Sequence, residues 1–511
     1  MWIMWITSLI TLRQLFYFWM LVKALKQGHF KKHLTFFSKQ LRECYRNVNA
    51  NYKALRQKRT KFLKLCVHHS RTQKTHFRHA YYNIAHFAID LARNLLLAYN
   101  LVTVLKEKYT MKIIITALFG LESLVKEDLL SIGYQKENIT VTDGVVTLDV
   151  DEKNLASDVA AVNMWVRRGE RVFFEVGTFK AETFDEFFEG TAKLDWNEFN
   201  PKDYVFIVNG FSRKSKLFGI SACQSLSKKA IVKSLLSSRG LPEGASVNED
   251  RTKGEVRIQF GIVEDQVRFM IDTSGDGLHK RGYRPLTHEA PIKETLAAGM
   301  ISLAHYKPFD IEALVDPFCG SGTILIEAVL MALNIAPGKN RHFSYETLPY
   351  IGPKAYDMAR EEALSLENSD PIDDIFYFGS DIDPKAVSNA RQNAKNAGVE
   401  SFIRFDVADA KDRTIEALNK LTSFDRHLII TNPPYGNRLL TQEEADKIYK
   451  MIGFNYLTKK GLCKKGVRLS VITPDDSFEK ANRAKADKRV KLYNGNTKCQ
   501  LNNYFKLDKS L

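Results

Sequence analysis

Cysteine is scarce in this chain. There are six in 511 residues, with no CxxC pair and no Cys/His spacing of a metal site. That argues against a disulfide framework and a structural metal, and for a reducing cytoplasmic setting. Acidic residues are nearly missing from the first fifth. Residues 1–110 hold 20 Lys+Arg against 3 Asp+Glu, with no proline and one glycine, Gly28. The other residues hold 55 basic and 56 acidic side chains, so the net charge of +16 belongs to the opening segment. Whole-chain charge therefore says nothing about what residues 111–511 bind.

The opening segment has no secretory pattern. Residues 1–22 are mostly apolar, interrupted by Arg13, with no positive start and no small-residue cleavage site. Three readings stay open: an extension upstream of the native start, a basic RNA-binding arm, or a membrane anchor of about 20 apolar residues. The first is preferred, because Met111-Lys112-Ile113-Ile114-Ile115 opens directly on a strand. On that reading no membrane partner is expected, and the protein is a monomer or weak dimer.

From Met111 onward, hydrophobic periodicity divides the chain. Strands are expected at 111–117, 139–141, 144–150 and 171–177, and helices at 120–132 and 155–163. This predicts a small α+β unit of ferredoxin-like type over 111–165. A second unit, 166–277, is expected to carry a strand at 204–211 followed by a basic loop with Arg213, Lys214 and Lys216. A helix at 219–237 then brings Lys228, Lys229 and Lys233. Residues 278–295 read as a polar connector containing Lys280, Arg281 and Arg284. From 296, strand–loop–helix repeats predict a Rossmann-like α/β domain with a doubly wound, mostly parallel sheet. Residues 334–370 read as an insertion with its own helix at 354–366.

The chemistry concentrates at predicted strand ends. Asp316-Pro317-Phe318-Cys319-Gly320-Ser321-Gly322-Thr323 follows one strand and opens a helix. Its glycines permit a tight turn and close ligand approach. The Lys of a phosphate loop is missing, and a carboxylate stands at the strand end. That suits a cationic amino-acid ligand better than a pyrophosphate. The next strand ends at Asp381-Ile382-Asp383, placed to accept from ribose hydroxyls, and the third is followed by Asp409, able to accept from an adenine amine. Any one of these aspartates alone reads more readily as a helix cap. Three in succession describe an adenosyl ligand.

The fourth strand runs into Asn432-Pro433-Pro434-Tyr435-Gly436. An exocyclic base amine is a poor nucleophile, because its lone pair is delocalised into the ring. The Asn432 side-chain oxygen and the Pro433 carbonyl can accept its two N–H groups and free the lone pair, while Tyr435 stacks on the base. The prolines stiffen the loop. Catalysis of this kind is positioning and electrostatics.

These motifs resemble the class I S-adenosylmethionine-dependent methyltransferases that modify amines. Residues 111–505 as a whole resemble the THUMP-domain RNA methyltransferases, specifically the bacterial large-subunit ribosomal RNA guanine-N2 methyltransferase family. The likeness also rests on Leu278-His279-Lys280-Arg281-Gly282-Tyr283-Arg284, Ala290-Pro291-Ile292-Lys293-Glu294 and Lys491-Leu492-Tyr493-Asn494-Gly495. It implies S-adenosylmethionine as cofactor, no metal, and N2-methylation of a guanosine in 23S ribosomal RNA. Transfer RNA is the alternative, and DNA adenine-N6 a more distant one. It also implies a cofactor site of Asp316, Pro317, Gly320, Gly322, Thr323, Asp381, Asp383 and Asp409. Asn432, Pro433 and Tyr435 would be catalytic. RNA would be held by Arg213, Lys214, Lys216, Lys228, Lys280, Arg281 and Arg284.

Overall fold

Two strand patterns recur in the chain, and each builds its own sheet. The computed structural model describes residues 110–284, 292–308, 312–368, 376–422, 424–435, 441–474 and 476–508. Readings of the opening segment, of Ala290 and Pro291, and of Gly436 lie outside the described residues.

The first pattern alternates. Val145–Asp151 points every second side chain inward, as a strand with one solvated face does. It belongs to a seven-stranded sheet of β1 (Thr110–Ala117), β2 (Ile139–Thr142), β3 (Val145–Asp151), β4 (Gly169–Lys180), β5 (Val205–Arg213), β6 (Glu255–Val263) and β7 (Gln266–Asp272). Their order is β2-β3-β1-β4-β7-β6-β5. The two N-terminal units expected from sequence share this sheet, because the 12-residue strand β4 pairs with β1 on one side and β7 on the other.

The second pattern is continuous. Ala313–Asp316 and His427–Thr431 are buried at every position, as strands covered on both faces must be. They are β8 and β11 of a second sheet. Its other members are β9 (Tyr377–Asp381), β10 (Ile403–Val407), β12 (Val467–Pro474), β13 (Lys488–Asn494) and β14 (Thr497–Tyr504). The order is β10-β9-β8-β11-β12-β14-β13, parallel from β10 to β12 and closed by an antiparallel hairpin. Helices such as Thr323–Ala332 and Gln442–Tyr456 complete the doubly wound α/β layer.

The expected insertion and connector are not free-standing. Phe343, Tyr345, Leu348, Ile351, Tyr356 and Ala363 join the same apolar core as Val159, Val162 and Phe174 of the N-terminal sheet layer. The connector contributes buried Leu278, Arg281, Tyr283, Ile292 and Glu294. Between the halves sits Glu327, 0% exposed, facing Arg167 at 3.5 Å, Arg281 at 3.4 Å and the Tyr283 hydroxyl at 3.1 Å. Arg341 adds a guanidinium that donates to the carbonyls of Ser274, Asp276, Gly277 and Lys280. Among the described residues no helix is long and apolar enough to cross a membrane.

Candidate active site

Four strand ends build the site. β8 ends at Asp316, β9 at Asp381, β10 two residues before Asp409 and β11 one residue before Asn432. The chain steps from β8 outward to β9 and β10, then returns to the opposite side of β8 as β11. Such a reversal opens a crevice beyond the carboxyl ends of the strands. The cleft here is about 1730 Å³ and is lined by Asp316, Pro317, Gly320, Asp381, Asp383, Asp409, Asn432, Pro433 and Tyr435.

Asp316 is 1% exposed and accepts from the Thr431 hydroxyl at 2.7 Å and the Phe318 N–H at 3.1 Å. Burial pushes its carboxyl up to about 7; the two hydrogen bonds oppose this and nearby Asp381 adds to it. Asp381 accepts the Gly320 N–H on one oxygen and the Asp383 N–H on the other, both at 3.0 Å. Each oxygen keeps a lone pair for a further donor. Asp383 and Asp409 also cap local turns, accepting from the Lys385 and Lys411 N–H groups. The cap reading and the cleft reading hold together for both.

Gly320 has φ +49°, and a side chain there would meet nothing within 4 Å. Bare backbone thus faces the cleft. Gly322 differs from expectation. Its φ of +78° is needed for the turn, but a Cβ would press on Phe405 and Ala390 at 3.0 and 3.1 Å. It serves packing of helix on sheet and is not on the cleft wall. Thr323 is likewise turned inward, its hydroxyl shared with Ser321 and Arg284.

Asn432 carries the most telling atom. Its Oδ1 is buried without a hydrogen-bond partner among the described residues. An unsatisfied buried acceptor costs about 1–3 kcal/mol, so its persistence calls for a ligand or water that uses it. Tyr435 is partly buried between two apolar clusters and its hydroxyl accepts from Asn494 Nδ2 at 2.8 Å. Burial, with neighbouring Asp316 and Asp381, pushes the Cys319 thiol up, which removes it as a nucleophile at neutral pH.

The expected RNA-binding residues separate into two groups. Arg213, Lys214, Lys216 and Lys228 are exposed at the end of β5 and on the helix Ile220–Ser238. Lys214 and Lys216 pair with Glu264 and Glu182, and Lys228 lies 5.8 Å from the Phe206 ring centre. Lys280 is exposed and paired with Asp276. Arg281 and Arg284 are corrections. Arg281 is 3% exposed and is spent on Glu327 and on the carbonyls of Leu278 and Arg167. Arg284 pairs with Glu294 and donates to the Ile292 carbonyl. Both hold the connector in place and neither is available to a phosphate.

Two parts of the wall went unassigned in sequence. Lys293 lines the cleft, with its ammonium paired to Glu170 of the N-terminal sheet. Asn494, Gly495, Asn496 and Thr497 line it from the turn of the β13–β14 hairpin. Gly495-Asn496 between two alternating runs was the available signal for that hairpin. Among the described residues no cluster of His, Cys, Asp and Glu is arranged to hold a metal ion.

Comparison with known proteins adds the family. Residues 281–503 match the model described as RMKL-like, methyltransferase domain. Residues 112–173 match the RlmL ferredoxin-like domain and 181–272 the THUMP domain. The protein named "Putative RNA methyltransferase YpsC" of Bacillus subtilis (strain 168) is 37% identical over 403 residues, spanning 78% of this chain and 96% of its own. Ribosomal RNA large subunit methyltransferase K/L of Vibrio parahaemolyticus is 31% identical over 389 residues, 75% of this chain. Only 52% of that enzyme is matched, so the chain spans about half its length. The crystal structure of SMU.472 complexed with SAH superposes with a TM-score of 0.68 at 34% identity, covering 78% of this chain and 98% of that one. With the ferredoxin-like, THUMP and methyltransferase parts in one order and a relative matched over nearly its full length, the chain belongs to the THUMP-containing RNA methyltransferase family of YpsC and the K/L enzymes.

Proposed function

We propose that this protein methylates the exocyclic N2 amine of a guanosine in large-subunit ribosomal RNA, with S-adenosylmethionine as cofactor. The observation that carries the reading is the unpartnered Asn432 Oδ1, held on a Pro-Pro loop at the edge of an acidic cleft. The ribosomal substrate is supported by the K/L relative.

The residues present fit the cofactor. Asp381 has lone pairs left for ribose hydroxyls, Asp409 suits an adenine amine, bare Gly320 backbone admits close approach, and Asp316 suits an ammonium. Bound there, the cofactor supplies an electrophilic methyl group on a sulfonium. The protein's own part is to prepare the amine. Asn432 Oδ1 and the Pro433 carbonyl accept the two N–H bonds, which draws the nitrogen toward tetrahedral geometry and exposes its lone pair. Tyr435 holds the base face. The base must leave its stack to arrive, at a cost of a few kcal/mol, so an opened or single-stranded site is expected.

Mapping N2-methylguanosine in ribosomal RNA from a deletion strain tests the reading. One missing position, restored by the protein, is expected. Intact ribosomal RNA with a missing transfer RNA methylation would move the substrate to transfer RNA, and loss from DNA alone would refute RNA.

RNA capture should depend on the exposed patch beyond β5. Replacing Arg213 and Lys214 together by alanine is expected to weaken RNA binding several-fold at low salt and to reduce the salt slope by about two. Unchanged affinity would place the RNA elsewhere.

Cofactor binding should titrate with Asp316. Its folded-state carboxyl sits near 7 against 3.8 in the unfolded chain. The stability this group contributes is therefore complete below 3.8 and is lost as pH rises through about 7. An ammonium ligand needs the ionised form. Affinity for SAH should therefore rise up to about pH 7 and level off above it, and Asp316→Asn should flatten the curve. A pH-independent affinity in the unsubstituted protein, measured by calorimetry, would contradict the assignment.

A further inference from the structure

The hairpin that closes the catalytic sheet ends beside the aromatic ring of the site. β13 and β14 are paired from Lys488↔Asn503 to Asn494↔Thr497, leaving a two-residue turn of Gly495 and Asn496. That turn lines the cleft. The last residue of β13 reaches back: Asn494 Nδ2 donates to the Tyr435 Oη at 2.8 Å. From β14 the buried Cys499 Sγ lies 3.6 Å from the same oxygen. Tyr435 is thus held by its phenol from both strands of one hairpin.

The hairpin is fixed from behind by the N-terminal half. Gly120, with φ +94°, packs so close that a Cβ would stand 2.5 Å from the Lys491 carbonyl oxygen. Leu121 and Leu492 share one apolar core, and the Phe119 and Tyr493 rings lie 6.2 Å apart. A ring tethered only at Cα swings about two torsions. A ring whose hydroxyl is also held keeps one tilt, and a stacking surface needs a set tilt.

We infer that Asn494 is a positioning residue, which sets the tilt of the Tyr435 ring for the target base and acts through the phenol oxygen. The inference rests on the reading that Tyr435 meets that base. The turn at Gly495-Asn496 then forms part of the wall along which the base enters, which ties the N-terminal half to the geometry of the acceptor.

The test is a double-mutant cycle on Asn494→Ala and Tyr435→Phe, read as kcat, KM for RNA, and SAH affinity by calorimetry. Asn494→Ala is expected to lower kcat about tenfold with SAH affinity within about twofold. Tyr435→Phe, which removes the same hydrogen bond from the other side, should fall similarly. The double variant should be no worse than either single one. Losses that multiply in the double variant, or a Tyr435→Phe enzyme with full kcat beside an impaired Asn494→Ala enzyme, would overturn the inference. Asn432→Ala run in parallel separates the two levels: full turnover there would defeat the amine-methylation reading itself, whatever the hairpin does.

Discussion

Replacing Asn432 by alanine should lower turnover by roughly two to three orders of magnitude while leaving SAH affinity within about twofold. The size follows from what the side chain is placed to do. Its Oδ1 is buried and has no hydrogen-bond partner among the described residues, which in the proposed mechanism leaves the acceptor free for a donor that arrives with substrate. Removing one pre-organised electrostatic group, such as an oxyanion-hole donor, from other active sites costs about 10²–10³ in rate. The proposed cofactor contacts, Asp316, Asp381 and Asp409, lie on other strand ends, so binding and turnover should separate. Single-turnover methyl transfer to RNA, alongside calorimetry, checks both. Turnover within threefold of the parent would mean that the amine needs no acceptor at Asn432 and would refute the proposed role.

Replacing Glu327 by alanine should destabilise residues 111–508 by roughly 3–5 kcal/mol, the usual cost of breaking a buried ion pair from one side. Glu327 faces the buried guanidiniums of both Arg167 and Arg281, and it also accepts from Tyr283. Burial already depresses Arg167 to about 10, with the Glu327 charge opposing the fall. Without that charge two cations share a dry junction. For a chain of this size the melting temperature should drop by about 5 °C. The same variant should weaken turnover on RNA more than SAH binding, because Glu327 sits where the N-terminal sheet, the connector and the catalytic layer meet. A melting temperature within a degree of the parent would mean the two arginines find other acceptors.

The catalytic layer was largely legible in the residues. The apolar runs ending in Asp316, Asp381 and Asn432 place those side chains at strand ends through local geometry alone. A strand that stops at a turn puts its next polar residue at the sheet edge. The ferredoxin-like part was legible as alternating strands and helices, and the THUMP part through its resemblance to that family. Their sharing of one sheet was not, because pairing of β4 with β1 and β7 depends on partners far away in sequence.

The chain by itself therefore determined which reaction groups exist and which end of the sheet presents them. Tertiary structure alone decided which charges are free. Arg281 and Lys280 are neighbours in the same basic motif, yet one is exposed and the other is bound to a carboxylate 46 residues away. It also decided that Gly322 packs against Phe405 while Gly320 faces the cleft, and that Asn494 reaches Tyr435 across 59 residues. The physical reason is common to all three. Strand ends and turns follow from local backbone preference, whereas burial and the pairing of a polar group depend on what the rest of the chain brings to it.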